Sequence, residues 1–253
     1  MAIADATHLV GTTDRWFTDA APGSAVRIRP NFTPLEQDVF VEIVTFAHDP
    51  MNAEMELLKC LDADGTQLFD TSTGRKAAEV TDSMKAAIGA GKVRQWHNHP
   101  SQDSLSHQDW LCAATSADLE VLALNERGSI FVGRVPEWED RLEALFGWLP
   151  RLGGDLELYM SNLARSRGLE DEVLVRLSAF TGHVLNTALA QRTVVRYAYS
   201  LRDDDDSTVC ACERLDIISD GVAVAAGAIQ DWLDTYIPVS TPEINDSSSA
   251  VDP

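Results

Sequence analysis

The sequence has little positive charge: 20 Lys and Arg residues stand against 40 Asp and Glu residues, which gives a net charge of −20. Such an excess of acid repels phosphate groups, so the composition disfavours binding to nucleic acids or to anionic membrane surfaces. Only four of the basic residues are lysines, and every basic residue after Lys92 is an arginine. Long apolar runs are also missing, since no stretch approaches the ~18 residues that a membrane span needs.

Other absences narrow the class of protein further. Four cysteines in 253 residues are too few for a disulfide-rich scaffold, and we expect them to be reduced. The first residues lack the basic-then-apolar order of a signal peptide, so the sequence predicts a cytoplasmic location. Glycine-rich phosphate loops and Gly-x-Ser-x-Gly elbows do not occur. What remains is a chain with 45% hydrophobic residues, long enough to bury a sizeable core.

The hydrophobic and turn patterns divide the chain into four segments. Residues 1–32 have no clear period and read as an irregular arm. Residues 33–136 predict the order α, β, β, α, β, α, β, β, which is typical of an α/β fold with a mostly antiparallel sheet. Residues 137–236 predict a mainly helical extension, and residues 237–253 predict a disordered tail.

Residues 197–212 of the helical extension have three features that bear on their local structure. The alternation of Tyr197, Tyr199 and Leu201 fits either a hairpin with an acidic loop or the end of a long helix. The acidic run 203–206 is interpreted as a solvated loop. Cys210 and Cys212 are interpreted as two thiols on one face of a strand.

The residues that point to chemistry are His97, His99, Pro100, Ser106 and Asp109. Histidines at positions i and i+2 of a strand point to the same side, so both imidazoles can reach one metal ion. Ser106 can cap the next helix, whose first turn carries Asp109. Two nitrogens and one carboxylate oxygen, with a position left for water, are typical of a catalytic zinc site.

A zinc hydrolase also needs a general base outside the ligand set, and glutamate is the usual choice. Glu54, at the start of the hairpin that precedes the histidines, is the preferred candidate, and Glu56 on the same strand face is the alternative. His107, beside Asp109, is interpreted as an exposed residue at a helix start. Trp96 and Trp110 bracket the ligand residues and are predicted to pack the site against the core.

This pattern resembles the JAB1/MPN/Mov34 (JAMM) metalloenzyme family, whose signature is a distant Glu, then His-x-His-Pro, then Ser-x-x-Asp. The pentad at residues 97–101, His-Asn-His-Pro-Ser, is most similar to the RadC-type branch. The resemblance covers residues 33–136 and implies an MPN-type, cytidine-deaminase-like fold. The gap between Pro100 and Ser106 is one or two residues shorter than is usual in the family, which leaves Asp103 as a competing ligand.

The resemblance also implies roles and substrates. His97, His99 and Asp109 would bind one Zn²⁺ per chain, Glu54 would activate water, and Ser106 would stabilise the oxyanion. The implied reaction is hydrolysis after the C-terminal Gly of a ubiquitin-like protein, within a prokaryotic conjugation or phage-defence system whose enzymes contact residues 137–236. The alternatives are a RadC-like protein with a DNA-associated role and a non-catalytic MPN scaffold.

Overall fold

The computed structural model describes residues 16–17, 23–91, 93–100 and 104–236. Within these ranges the chain contains both helices and strands, and short 3-10 turns occur at Pro50–Asn52 and Ser178–Phe180. The elements are β1 (Val26–Arg27), α1 (Pro34–His48), β2 (Met55–Asp62), β3 (Leu68–Arg75), α2 (Asp82–Ala90), β4 (Val93–Asn98), α3 (His107–Ala113), β5 (Leu119–Leu124), β6 (Ile130–Arg134), α4 (Asp140–Ser166), α5 (Asp171–Leu177), α6 (Thr181–Gln191), β7 (Arg196–Ser200), α7 (Asp203–Glu213) and α8 (Ile217–Thr235).

The strands form one seven-stranded sheet in the order β1-β7-β6-β5-β4-β2-β3. The pairs β4–β5 and β1–β7 are parallel, and the other neighbours are antiparallel. The structure therefore confirms an α/β fold with a mixed, mostly antiparallel sheet, and it confirms the predicted order of elements between residues 33 and 136.

The sheet buries both of its faces, because its strands alternate their side chains between two hydrophobic clusters. On one face, which we call the α1 face, Trp96 of β4 and Leu122 of β5 pack with Ile43 of α1. On the other, the multi-helix face, Phe131 of β6 packs with Trp110 of α3 and with side chains from α4, α6 and α8. β4, which contains His97 and leads directly into His99, is buried along its whole length.

The C-terminal segment is more closely joined to the rest of the chain than the sequence suggests. Its strand β7 pairs with β6, and the arm before residue 33 adds β1 to the far edge of β7. Neither alternative considered for residues 197–201 is correct, because these residues include a sheet strand that leads into a helix. The predicted tail, 237–253, lies outside the described residues.

The acidic run at 203–206 is not a solvated loop, as expected from the sequence, but the first turn of α7. Asp205 is buried and binds the β5–β6 turn, where it accepts hydrogen bonds from Asn125 Nδ2 at 2.7 Å and Ser129 Oγ at 2.6 Å. Arg127 Nη1 lies 2.7 Å from its other oxygen. Carboxylates near a helix N-terminus are favoured by the helix dipole, which explains why four of them can begin a helix.

One stretch, Asp171–Gln191, is long and apolar enough to cross a membrane by length and composition. It contains α5 and α6, and a little more than half of its most apolar window is buried within the protein. Leu177, Val184 and Leu189 of this stretch belong to the core on the multi-helix face. Core packing therefore accounts for the apolar character of this stretch.

Candidate metal centre

The two histidines lie at the end of β4 on the multi-helix face. His97 pairs in register with Leu58 of β2, and the backbone N–H of His99 donates to the carbonyl of Leu124 at 2.8 Å. The parallel pairing with β5 thus continues past the end of β4 and fixes both imidazoles. Their ring centroids are 4.8 Å apart, and both side chains are buried.

The carboxylate arrives from α3 through a helix cap. Ser106 is the N-cap residue, and its backbone N–H and its hydroxyl each donate to Asp109 Oδ2 at 2.6 Å. This reciprocal capping box fixes the side chain of the third helical residue, which here points back toward β4. Asp109 Oδ1 lies 3.1 Å from His97 Nε2, and Oδ2 lies 3.0 Å from His99 Nε2.

The chemistry of this donor set fits a zinc ion. The three candidate ligand atoms lie within 4.8 Å of one another. Although His97 Nε2 is close to Asp109, it is fully buried without a hydrogen bond of acceptable geometry to any described residue. A buried imidazole nitrogen normally has a partner, and a cation among the three groups would supply one. Burial alone would raise the pKa of Asp109, but the neighbouring histidines hold that pKa well below its usual range.

Close packing seats the segment that carries Ser106 and Asp109. Leu105 and Trp110 pack directly on Gly133 of β6, where a Cβ atom would lie only 2.4 Å and 2.5 Å from their side chains. Asn186 of α6 donates to the carbonyl of Leu105 at 2.9 Å and accepts from Trp110 Nε1 at 2.8 Å. Trp110 therefore packs the site as predicted, but Trp96 packs on the opposite face of the sheet.

The structure separates the two candidate glutamates. Glu54 lies before β2, with 61% of its side chain exposed, and forms an ion pair with Arg75 at 2.6 Å. That arginine lowers the pKa of Glu54, which makes it a weaker base. Glu56, within β2, is half-buried. Burial raises its pKa, whereas the nearby His97 and His99 act to lower it. The structure favours Glu56 over Glu54 as the candidate base, because Glu56 interacts electrostatically with both histidines and Glu54 is paired with Arg75.

Asn98, between the two histidines, is a site residue that the sequence reasoning missed. Its side chain accepts from the backbone N–H of Leu57 at 2.7 Å and donates to the carbonyl of Met55 at 2.9 Å. The two bonds hold the residues on either side of Glu56. They take the place of the backbone pairing between β2 and β4, which ends at His97. The strand register is the feature that identifies Asn98, because extending the β2–β4 pairing by one residue places Asn98 opposite Leu57.

A cavity of about 280 Å³ opens beside the cluster, on the side away from β2. His99 and Ser106 line one end of it, and residues of α4 and α6 line the other. His107 also lines it, so this half-buried histidine is a neighbour of the site rather than an exposed helix start. The C-terminal segment thus helps to form the surroundings of the cluster, which no motif in the sequence indicated.

The competing ligand Asp103 and His8 lie outside the described residues. Among the described residues, the other candidates do not join the cluster. His48 is exposed and bonds the carbonyl of Val44, whereas His183 is buried against Tyr197. All four cysteines are free, and Cys210 and Cys212 lie on α7 rather than on a strand. Burial raises the pKa of the Cys112 thiol to about 12, so this neighbour of Asp109 is a poor ligand.

Comparison with known protein families, with curated proteins and with solved structures finds no match.

Proposed function

We propose that this protein is a zinc-dependent peptidase or isopeptidase that cleaves after the C-terminal Gly of a ubiquitin-like protein. The observation that carries the proposal is the convergence of His97, His99 and Asp109, with the half-buried Glu56 beside them. Three protein ligands with room for water are the arrangement of a catalytic rather than a structural zinc site. The reaction class follows from the donor set, and the substrate class follows from the resemblance to JAMM enzymes.

The resemblance also supports assigning the fold to the MPN type. In support, the ligands come from the end of a central strand and the first turn of the following helix, in the order of the family signature. The proposed cellular setting is a prokaryotic conjugation or phage-defence system in the cytoplasm.

The proposed mechanism assigns a separate task to each residue of the chain. His97, His99 and Asp109 hold the zinc ion, which supplies Lewis-acid activation of water and of the scissile carbonyl. Glu56 accepts a proton from the attacking water and passes it to the leaving amine. Asn98 keeps the backbone on both sides of Glu56 in place. Ser106 orients Asp109 through its backbone N–H and its hydroxyl. The resemblance assigns this hydroxyl to the oxyanion, which requires its single proton to turn away from Asp109.

The first test is the metal content of the purified protein. We expect one zinc per chain by elemental analysis, and we expect it to be lost in His97→Ala and in Asp109→Ala. The matched controls are His48→Ala, an exposed helical histidine, and Asp82→Asn, an exposed first-turn carboxylate; both keep the zinc. A wild-type protein that binds no zinc under saturating conditions contradicts the proposal.

The second test compares the two glutamates in a cleavage assay. The substrate is a panel of ubiquitin-like proteins, each fused through its C-terminal Gly to a fluorescent reporter. Removal of a general base typically lowers kcat by 10²–10⁴-fold, so we expect a loss of that order in Glu56→Gln. Glu54→Gln is the matched control and should stay within about twofold of wild type, because its carboxylate contacts Arg75 instead. Equal losses in both variants would contradict the assignment.

A further inference from the structure

The cavity beside His99 differs in character from the metal ligands. Its walls include Leu105, Leu149 and Leu185, which are buried apolar side chains from three different parts of the chain. Its volume of about 280 Å³ is close to that of small-molecule pockets and exceeds what a glycine residue needs. Because it borders both His99 and Ser106, a group placed in it belongs to whatever is held at the metal site.

Thr181 also lines the cavity with a side chain that is buried. Its Oγ1 has almost no accessible surface, so the hydroxyl offers no contact to a ligand in the cavity. Glu157 lies at the exposed rim and disfavours an acidic ligand.

The position of the cavity indicates which half of a substrate it receives. Glu56 lies on β2, on one side of β4. The cavity lies on the other side, where α3 packs on β5 and β6 and α6 packs on β7. A general base that passes its proton to the leaving amine must lie next to that amine. The leaving group is therefore on the β2 side, and the acyl half of the substrate extends toward the cavity.

We infer that this cavity is a specificity pocket for an uncharged side chain with an aliphatic stem, such as leucine, methionine or glutamine. It belongs to the substrate residue just before the C-terminal Gly, because the proposed cleavage follows that Gly. The inference rests on the proposed function. A substrate that fills this pocket is not a ubiquitin-like protein whose tail ends in two glycines.

The test measures binding rather than turnover, so that it does not depend on catalysis. The probes are N-acetylated hexapeptides with a free carboxylate that end in X-Gly or in Gly-X, where X is Gly, Leu, Met, Gln or Glu. Dissociation constants come from NMR titration of the zinc-supplemented protein. In the X-Gly series we expect Leu, Met and Gln to bind about tenfold or more tightly than Gly, because the side chain leaves water, and in the Gly-X series we expect no such gain. Glu should bind no better than Gly.

Two adjacent glycines of α4 provide a matched pair of variants. A Cβ added at Gly153 meets Leu185 at an ordinary contact distance of 3.4 Å, so Gly153→Leu extends a side chain into the cavity. A Cβ at Gly154 meets nothing within 4 Å, so Gly154→Leu is the control. We expect the preference for Leu over Gly to disappear in the first variant and to persist in the second.

Equal binding of the Gly and Leu peptides in the X-Gly series overturns the inference, and so does a preference that survives in Gly153→Leu. Either result leaves the proposed function intact, because zinc content and reporter cleavage are measured separately. Conversely, absent zinc and absent cleavage overturn the proposed function, whatever the peptides show.

Discussion

The two faces of the sheet use the same structural device for different ends. On the α1 face, Glu36 is the third residue of α1, forms a capping box with Thr33 and reaches Arg94 of β4 at 3.0 Å. On the multi-helix face, Asp109 is the third residue of α3, forms a capping box with Ser106 and reaches the histidines at the end of β4. In both cases a helix cap aims a carboxylate at the central strand.

What differs is the source of positive charge. Arg94 also binds Glu120 at 2.7 Å, and all three side chains are buried, so the α1 face supplies its own cation. His97 and His99 carry no permanent charge, and they offer nitrogen lone pairs instead. Buried charge alone therefore does not identify a functional site. A carboxylate that faces two imidazole nitrogens beside a cavity does mark a candidate metal site.

The largest effect in this comparison is expected from Arg94→Met. The substitution leaves Glu36 and Glu120 buried without their cation, and removing one partner of a buried ion pair costs roughly 3–5 kcal/mol. We expect the free energy of unfolding in urea to fall by that amount. The control is Arg75→Met, whose side chain is 75% exposed and which should change stability by less than about 1 kcal/mol. An equal effect in both variants would show that the buried ion cluster is unimportant for stability.

A second prediction concerns His183, which is on the multi-helix face but is not a ligand. It contacts the hydroxyl of Tyr197 at 2.9 Å and the ring of Tyr199, and burial lowers its pKa to about 4. As the pH falls, the unfolded chain binds a proton at His183 before the folded protein does. The stability that the neutral, buried His183 contributes is therefore present above pH 6.5 and is lost as the pH falls toward 4. The shift corresponds to roughly 3 kcal/mol.

This pH dependence is measured as a difference, so that the contributions of other titrating groups cancel. Urea unfolding of wild type and of His183→Gln is compared at pH 7 and at pH 4. We expect the wild type to lose about 3 kcal/mol more than the variant between these two pH values. Parallel losses in the two proteins would mean that His183 is not buried as a neutral side chain.

The smallest effect compares the two capping boxes directly. Loss of an N-cap hydroxyl typically costs about 1 kcal/mol, so Ser106→Ala and Thr33→Ala should destabilise the protein to a similar degree. Only Ser106→Ala should also weaken zinc binding, by about 10–100-fold, because Ser106 orients a proposed ligand. Zinc titration against a competing chelator measures this difference. If both variants bind zinc equally well, Ser106 serves only as a helix cap.

The sequence predictions succeeded for features that depend on residues close together in the chain, and they were incomplete for features that depend on distant residues. Ser106 was predicted as a helix cap, and its capping box is present, because a cap depends on residues three positions apart. Alternation along a strand could not separate Glu54 from Glu56, because the two residues have the same parity. Only the pairing of Glu54 with Arg75, 21 residues away, removes it from the site.

The sequence by itself therefore determined the order of elements between residues 33 and 136 and the candidate ligands, since two histidines on one strand and a capped aspartate are local patterns. The tertiary structure decided which glutamate faces the cluster, how Asn98 closes the strand pairing, and that α4 and α6 form a cavity beside it. These features depend on register and on packing between distant segments, and a local pattern does not encode which distant residue will fill the space next to it.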